Sequence, residues 1–385
     1  MRSRNLQFVG GTFIALTAAT AAALAQAPDR DTVQKWFDAE WKAAQTIPDL
    51  GDASITWRME FAYVPSESEL EELRARVEGR PDHPERGKLR AWRRAFEGEP
   101  EFLRHQLWMR GQGQWRFNIE DGPTATPTYT DITLSPSGMW TLSRQQLSRA
   151  KAGDPAFDNT KYHENTFWPQ IRRFMFGGIA SGCVSCERDP LVLSGTRWSV
   201  TVRSRSAGSV PLLTTSYEGH WDAAAGRGFT DTLYIRPHPN AANPNGARFE
   251  FSGWSYRDAL ARWMCDRVVE SHANGPVQRV YLLEEVAPNN PGRFNEVAKE
   301  PAPNGTDAVR GTVTFTSVLD YQGEKIEIRE LDGDGTVKRA VAPRPTPDPG
   351  RWPSWVEPSA GGLVIGACLL VAWRRNTHNI ESKQS

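Results

Sequence analysis

The first residues whose spacing suggests chemistry are Cys183 and Cys186, separated by Val-Ser in "GCVSCERDP". A catalytic dithiol needs a lowered thiol pKa, usually supplied by a helix N-terminus just after the first Cys. Here Pro190 disfavours that helix, and Gly182 stands where thioredoxin-like sites carry an aromatic residue. Haem attachment asks for His after the second Cys, and position 187 is Glu. A structural zinc site asks for four ligands; Cys265 offers a third, and no paired-His motif offers a fourth. The reading is a structural disulfide, Cys183 with Cys186 or either of them with Cys265.

Other catalytic patterns are missing from the sequence. The histidines are His83, His105, His163, His220, His238, His272 and His378; no pair is spaced i, i+4 and no HExxH occurs, which excludes a zincin. His220, next to Trp221, and His238, within "RPHPN", are the two placed like site residues, although strand and surface histidines commonly look the same. No G-x-S-x-G elbow and no P-loop appear. "DGDGT" alternates Asp332, Asp334 and Thr336 like a calcium loop, but Pro343 at the twelfth position offers no side-chain oxygen, so it reads as a turn. Asn304-Gly305-Thr306 fits a glycosylation acceptor. No catalytic, cofactor-binding or metal residue is assigned, and no cofactor is expected.

Charge narrows the partners. Lys plus Arg and Asp plus Glu are 46 each, so no net field favours nucleic acid. Glu67, Glu69, Glu71, Glu72 and Glu78 precede Arg86, Lys88, Arg90, Arg93 and Arg94, the pattern of two helices facing each other with opposite charge. Fifteen Trp can serve as core, as a flat stacking surface or as interface anchors.

The two ends give an address. Arg2 and Arg4 precede an apolar stretch over residues 8–24, and Ala23-Leu24-Ala25 suits signal peptidase; residues 1–25 are expected to be removed on export. At the other end, residues 341–355 form a proline-rich stalk. Residues 356–373 then carry Leu363, Val364, Ile365, Leu369, Leu370, Val371 and Trp373, followed by Arg374 and Arg375. Eighteen residues of helix span about 27 Å, near a typical ~30 Å hydrocarbon layer. With the body outside, the two arginines and the tail at 374–385 fall on the cytoplasmic side, as the positive-inside rule requires.

Between these ends, residues 26–340 read as one β-rich α+β unit. Val33, Trp36, Phe37, Trp41 and Ala44 share one helical face, with Asp31 as its N-cap. "SITWRMEFAYV" is a strand; helices over 66–78 and 84–97 form an insertion after it. Antiparallel hairpins follow, one folded at Asn274-Gly275 through positive φ. A helix in "HENTFWPQIRRFMFGG" interrupts them, and residues 287–307 form a long loop.

An amphipathic helix followed by antiparallel hairpins, with helices inserted between strands, resembles the curved half-barrel of the LolA/LolB lipoprotein carriers. "VEPS", a Gly/Ala/Leu stretch and "RR" resemble the PEP-CTERM sorting tail of exported bacterial proteins. There a Pro-Glu-Pro signature precedes a short helix and a basic cluster, and the likeness implies an exosortase-type processing partner. Val356 stands where that signature has its first proline, and the tail runs on past Arg375. The sequence thus points to an exported, membrane-anchored, non-catalytic protein binding an apolar or carbohydrate ligand on a curved sheet. An exported hydrolase without a legible motif and a structural envelope protein are the competing classes.

Overall fold

The computed structural model describes residues 28–344, apart from 46–49, 81–82, 84, 100, 112, 122–128, 137, 144–145, 152–166, 180–184, 206–212, 237–245, 304, 322–325 and 333–336. Cys183, His238, the signal segment, Asp334 and Thr336 of the calcium-like turn and the whole terminal segment from residue 345 therefore lie outside the described residues. Among the described residues, no helix is long and apolar enough to cross a membrane.

Period-two alternation builds nearly everything. In β1 (Ala53–Phe61), Ile55, Trp57 and Met59 are fully buried on one face. This strand lies between two wings of a 17-stranded sheet. On one side β2 (Phe102–Arg110), β3 (Gln114–Asp121), β4 (Tyr129–Ser135), β5 (Gly138–Ser143) and β6 (Gln146–Lys151) pair in sequence order. The second wing begins with β7 (Ser185–Arg188) and β8 (Val192–Ser194), both paired to β9 (Arg197–Arg205). It continues through β10 (Leu213–Asp222), β11 (Arg227–Ile235), β12 (Ala247–Arg257), β13 (Arg262–Ser271) and β14 (Val277–Pro288), which returns to pair with β1. A two-stranded ladder of β15 (Gly305–Asp307) and β16 (Gly311–Val313) stands apart. β17 (Ser317–Tyr321) adds to β6 in parallel, then β18 (Ile326–Leu331) and β19 (Val337–Arg344) extend the first wing. The sheet is mixed and does not close on itself. Its last strand runs to Arg344, so it occupies the first residues expected for the stalk.

Among the described residues, five α-helices decorate it. α1 (Arg30–Ala44) buries Val33, Phe37, Trp41 and Ala44; its N-cap is Asp29, whose carboxylate accepts from the Thr32 N–H, rather than Asp31. α2 (Glu67–Val77) and α3 (Arg86–Phe96) lie between β1 and β2, and Ser66 with Glu69 closes a capping box on α2. Their charges meet only in part: Lys88 of α3 helps to lower the Glu69 carboxyl of α2, and Arg76 of α2 reaches Glu85 at the start of α3 at 3.9 Å. Arg74 pairs within α2 to Glu71 and Glu78, while Arg90 and Arg94 reach Glu101 beyond α3. Leu73, Val77 and Ala95 are buried on this helix pair, so its charged residues turn outward. α4 (Trp168–Phe176) ends at Gly177 in the left-handed conformation. α5 (Pro291–Val297) occupies the segment read as a loop: Asn290 caps it, Pro291 starts it, and Phe294 and Val297 are buried. Asn274 and Gly275 do form a hairpin loop, but neither has positive φ; the His272 carbonyl accepts from the Gly275 N–H across a wider turn.

The main core lies where α1 and α4 pack on the sheet. Trp36 and Phe37 of α1 approach Trp198 of β9 with ring centroids 5.2 and 5.6 Å apart. Two strand glycines make room. A Cβ on Gly219 would fall 2.0 Å from the Phe229 carbonyl oxygen and 2.4 Å from the Trp198 ring; one on Gly228 would fall 2.5 Å from the Trp36 ring. α4 brings Phe167 to within 5.1 Å of Trp115 and Phe174 to within 6.4 Å of Trp57. Arg173 fixes this helix to the sheet, donating to the Tyr281 hydroxyl, which in turn donates to Glu270.

A second layer covers the other face of β3–β6, with its own core of Trp140, Leu142, Leu147, Val313, Phe315, Val318 and Leu331. Arg116, fully buried, joins the layers. Nε and Nη2 donate to Asp131, Nη1 and Nη2 donate to Asp307, and Nη1 also reaches the Val297 carbonyl at 2.6 Å. Every guanidinium N–H is thereby satisfied. Burial opposes its charge, but Asp131 and Asp307 overcome it and hold the Arg116 pKa above its usual value. Arg310 adds further bonds to Asp131 and Asn118.

Two substitutions test this account. Arg116→Met should cost about 3–5 kcal/mol in urea unfolding, because Asp131 and Asp307 lose a buried countercharge. Gly219→Ala should cost about 1–3 kcal/mol, since the blocking oxygen belongs to backbone and cannot swing away.

Candidate functional site

The cysteines do not form a site. Cys265 is a free, fully buried thiol on β13, its Sγ 3.8 Å from the Arg173 carbonyl. Burial pushes its pKa well up, which leaves it protonated and unreactive. Cys186 lies on β7, half-buried against the main core.

His220 leads to a richer place. It lies on β10 opposite Arg197 of β9 and Phe229 of β11. A bulge between Glu218 and Gly219 changes the β10–β11 register just before it. Nδ1 of His220 is 2.8 Å from Asp231, and Arg197 donates to the other carboxylate oxygen of the same Asp231. Beyond this pair, β11 and β12 are paired only from Thr232 to Ile235. Further along, aromatic rings meet between the strands. Phe229 stacks on Trp254 at 5.3 Å and 30°, meets Trp263 edge-on at 5.1 Å, and lies 5.7 Å from the His220 ring. Trp263 in turn meets Tyr256 at 5.8 Å and 70°. Among the described residues, Tyr256 is one of the few large hydrophobic side chains left exposed, at 49%.

The hairpin carrying these rings is strained at its tip. A short 3-10 turn, Asp258–Leu260, links β12 to β13, and Ala261 follows it with φ of +49°. Among the described residues, Ala261 is the one non-glycine residue in the left-handed region, which costs about 1–2 kcal/mol. Backbone strain of this kind collects at binding and switch sites.

Charge is arranged around the same rings. The Arg227 guanidinium lies 5.4 Å from the Phe229 centroid and 3.0 Å from Glu40 of α1. Burial raises the Glu40 carboxyl above the usual carboxylate range, with Arg227 and Arg262 offsetting only part of it. Burial likewise lowers Arg227, against Glu40 and with Arg262. Arg257 pairs with Asp266 on the adjacent strands. Perturbed charges beside half-exposed rings mark a candidate binding site on physical grounds. Sequence reading reached His220 but not Glu40, Arg227, Tyr256 or Trp263. The legible trace was two aromatic residues flanking the turn in "YRDALARW".

Chemically, this rim can stack and hydrogen-bond. Its His–Asp pair would need a nucleophile against the free ring nitrogen to act as a base. Among the described residues, no hydroxyl or thiol is hydrogen-bonded to His220. A separate cleft of about 330 Å³ between α5 and β5, lined by Trp140, Phe294, Lys299 and Glu300, belongs to the outer layer, where Glu300 is already paired with Arg149.

One buried histidine stands outside the rim. His105 of β2 stacks on Trp57 at 5.1 Å and 4°, and neither ring nitrogen has a well-formed hydrogen bond. Burial lowers its pKa from 6.5 to about 3, with the Leu103 backbone helping the charged form slightly. The unfolded chain therefore takes up this proton first. The contribution to stability is complete above pH 6.5 and is lost as pH falls from there towards 3. His105→Phe keeps the stack and removes the proton, so its urea-unfolding stability should lose up to about 1.4 kcal/mol per pH unit less than wild type over that range. Identical pH profiles for both proteins would refute the assignment.

No family model matches this chain, and no curated protein matches its sequence. Among solved structures it is similar to a DUF1329 family protein from Desulfovibrio piger, with a TM-score of 0.36 and 8% sequence identity, over 70% of this chain and 98% of that one. Likeness at that level assigns no residue a role and this chain no activity.

Proposed function

We propose that the chain is an exported, membrane-anchored protein that binds a ligand rather than transforming one, its sheet curved as a half-barrel around α1 and α4. The observation carrying this reading is the rim: half-exposed rings, perturbed charges and a strained turn meet there, and the His220–Asp231 pair faces an aromatic ring. The address rests on the two ends of the sequence. A cleavable signal over 1–25 places the body outside the cytoplasm. The proline-rich stalk raises it above a helix at 356–373, with Arg374 and Arg375 inside. Cleavage of the tail by an exosortase-type enzyme belongs to the same proposal. So does a Cys183–Cys186 staple, since Cys265 is buried as a free thiol.

The alternative with a specific observation behind it is an exported hydrolase using His220 and Asp231. It needs a nucleophile or an activated water at the free nitrogen of His220.

Deleting residues 345–385 keeps β19 whole and tests the anchor. The truncated protein should appear soluble and folded in the periplasm or medium, with a urea midpoint equal to that of the full chain. Retention in the membrane fraction, or loss of the folded state, would sink the reading.

A further inference from the structure

We propose that the rim formed by Tyr256, Trp263 and His220, backed by the buried ring of Phe229, is a saccharide-binding site, taking a neutral oligosaccharide along the β12–β13 hairpin. The inference rests on the ligand-binding reading above and names its ligand class.

The rings supply the first half of the chemistry. Sugar rings carry apolar C–H faces that lie on aromatic faces, with hydroxyls projecting sideways. Tyr256 and Trp263 meet at 70°, so together they offer one ring face with a ring edge beside it. The Tyr256 hydroxyl and the Trp263 indole N–H make no hydrogen bond to the described residues, which leaves both open to a ligand. Trp254 is different: its indole N–H donates to the Thr230 carbonyl at 3.2 Å, which holds the supporting ring in place behind Phe229.

Charge decides among ligand classes. Asp231 is matched by Arg197, Asp266 by Arg257, and Glu40 by Arg227 with Arg262 nearby, while Asp258 lies exposed in the turn between Tyr256 and Trp263. Four carboxylates against four guanidinium groups leave no net charge to gather a polyanion. A cationic ligand would compete with Arg227, already placed over Phe229. A fatty acyl chain needs an enclosed apolar pocket, whereas Tyr256 is half in water and the ring edges here are polar. Neutral vicinal hydroxyls fit what remains. They donate to carboxylates and accept from guanidinium or indole N–H without disturbing the charge balance.

Isothermal titration of the full chain tests this, in a zwitterionic detergent because glycoside detergents would compete. The probes are cellotetraose, chitotetraose, maltotetraose and mannotetraose, with sodium oleate as the apolar control. At least one tetrasaccharide should bind. Tyr256→Ala and Trp263→Ala should each weaken it about tenfold or more while remaining folded at the titration temperature by circular dichroism, and Trp263→Phe should recover part of the loss. If one alanine variant fails to fold, the other and the Phe variant still decide. Absence of binding by all four sugars overturns the proposal, as does binding unchanged in the folded variants. Oleate binding alone overturns the saccharide assignment and leaves the ligand-binding reading standing. Failure of the anchor instead shows in the 345–385 deletion, a separate readout.

Discussion

The arrangement depends on how closely α1 can approach the second wing. Two indoles lie against strand backbone there, Trp198 over Gly219 and Trp36 over Gly228, at distances no side chain would permit. Removing two Cβ atoms weakens the strands locally, and the loss is offset by the area of the aromatic rings buried in their place. Once α1 is set at this depth, Glu40 arrives beside Arg227, and Arg227 lies over Phe229. The rim is therefore a consequence of core packing. A change in the depth of α1 would move its charges as well as its hydrophobic face.

Polar groups are handled differently in the two halves of the molecule. In the outer layer Arg116 is taken out of water with all its donors matched, which makes it a specific joint between β3, β4, β15 and the end of α5. At the rim the pairs are partly wet, and Glu40 and Arg227 both pay something for burial. Beneath α4, His105 is simply kept neutral. Full satisfaction suits a structural joint, while incomplete satisfaction at an accessible edge suits a place where another molecule supplies the missing partners.

Much of the element order was legible in the sequence. Alternation in β1, β3, β9 and the β13–β14 hairpin, together with the amphipathic face of α1, needed only local periodicity. Errors fell where a second local choice competed. Asp29 and Asp31 both suit an N-cap, and only the backbone selects Asp29. Residues 287–307 were rich in Pro and Asn and read as loop, yet Asn290-Pro291 is also a good helix start, and burial of Phe294 and Val297 decided for α5. Asn274-Gly275 marked a turn correctly, but the loop was longer than the type assumed, so positive φ was not required.

By itself, the sequence determined the β-rich class, the helices inserted after the first strand, and the termini whose composition suits export and anchoring. Those properties come from residues adjacent along the chain, and adjacency is what a sequence records. The tertiary structure alone decided that Glu40 meets Arg227, that Arg116 holds Asp131 and Asp307, and that Cys265 is sealed in the core. It also gathered Phe229, Trp254, Tyr256 and Trp263 into one aromatic group from three strands. The reason is physical: each of these contacts depends on strand register and helix depth, which are fixed by packing between segments far apart in the chain.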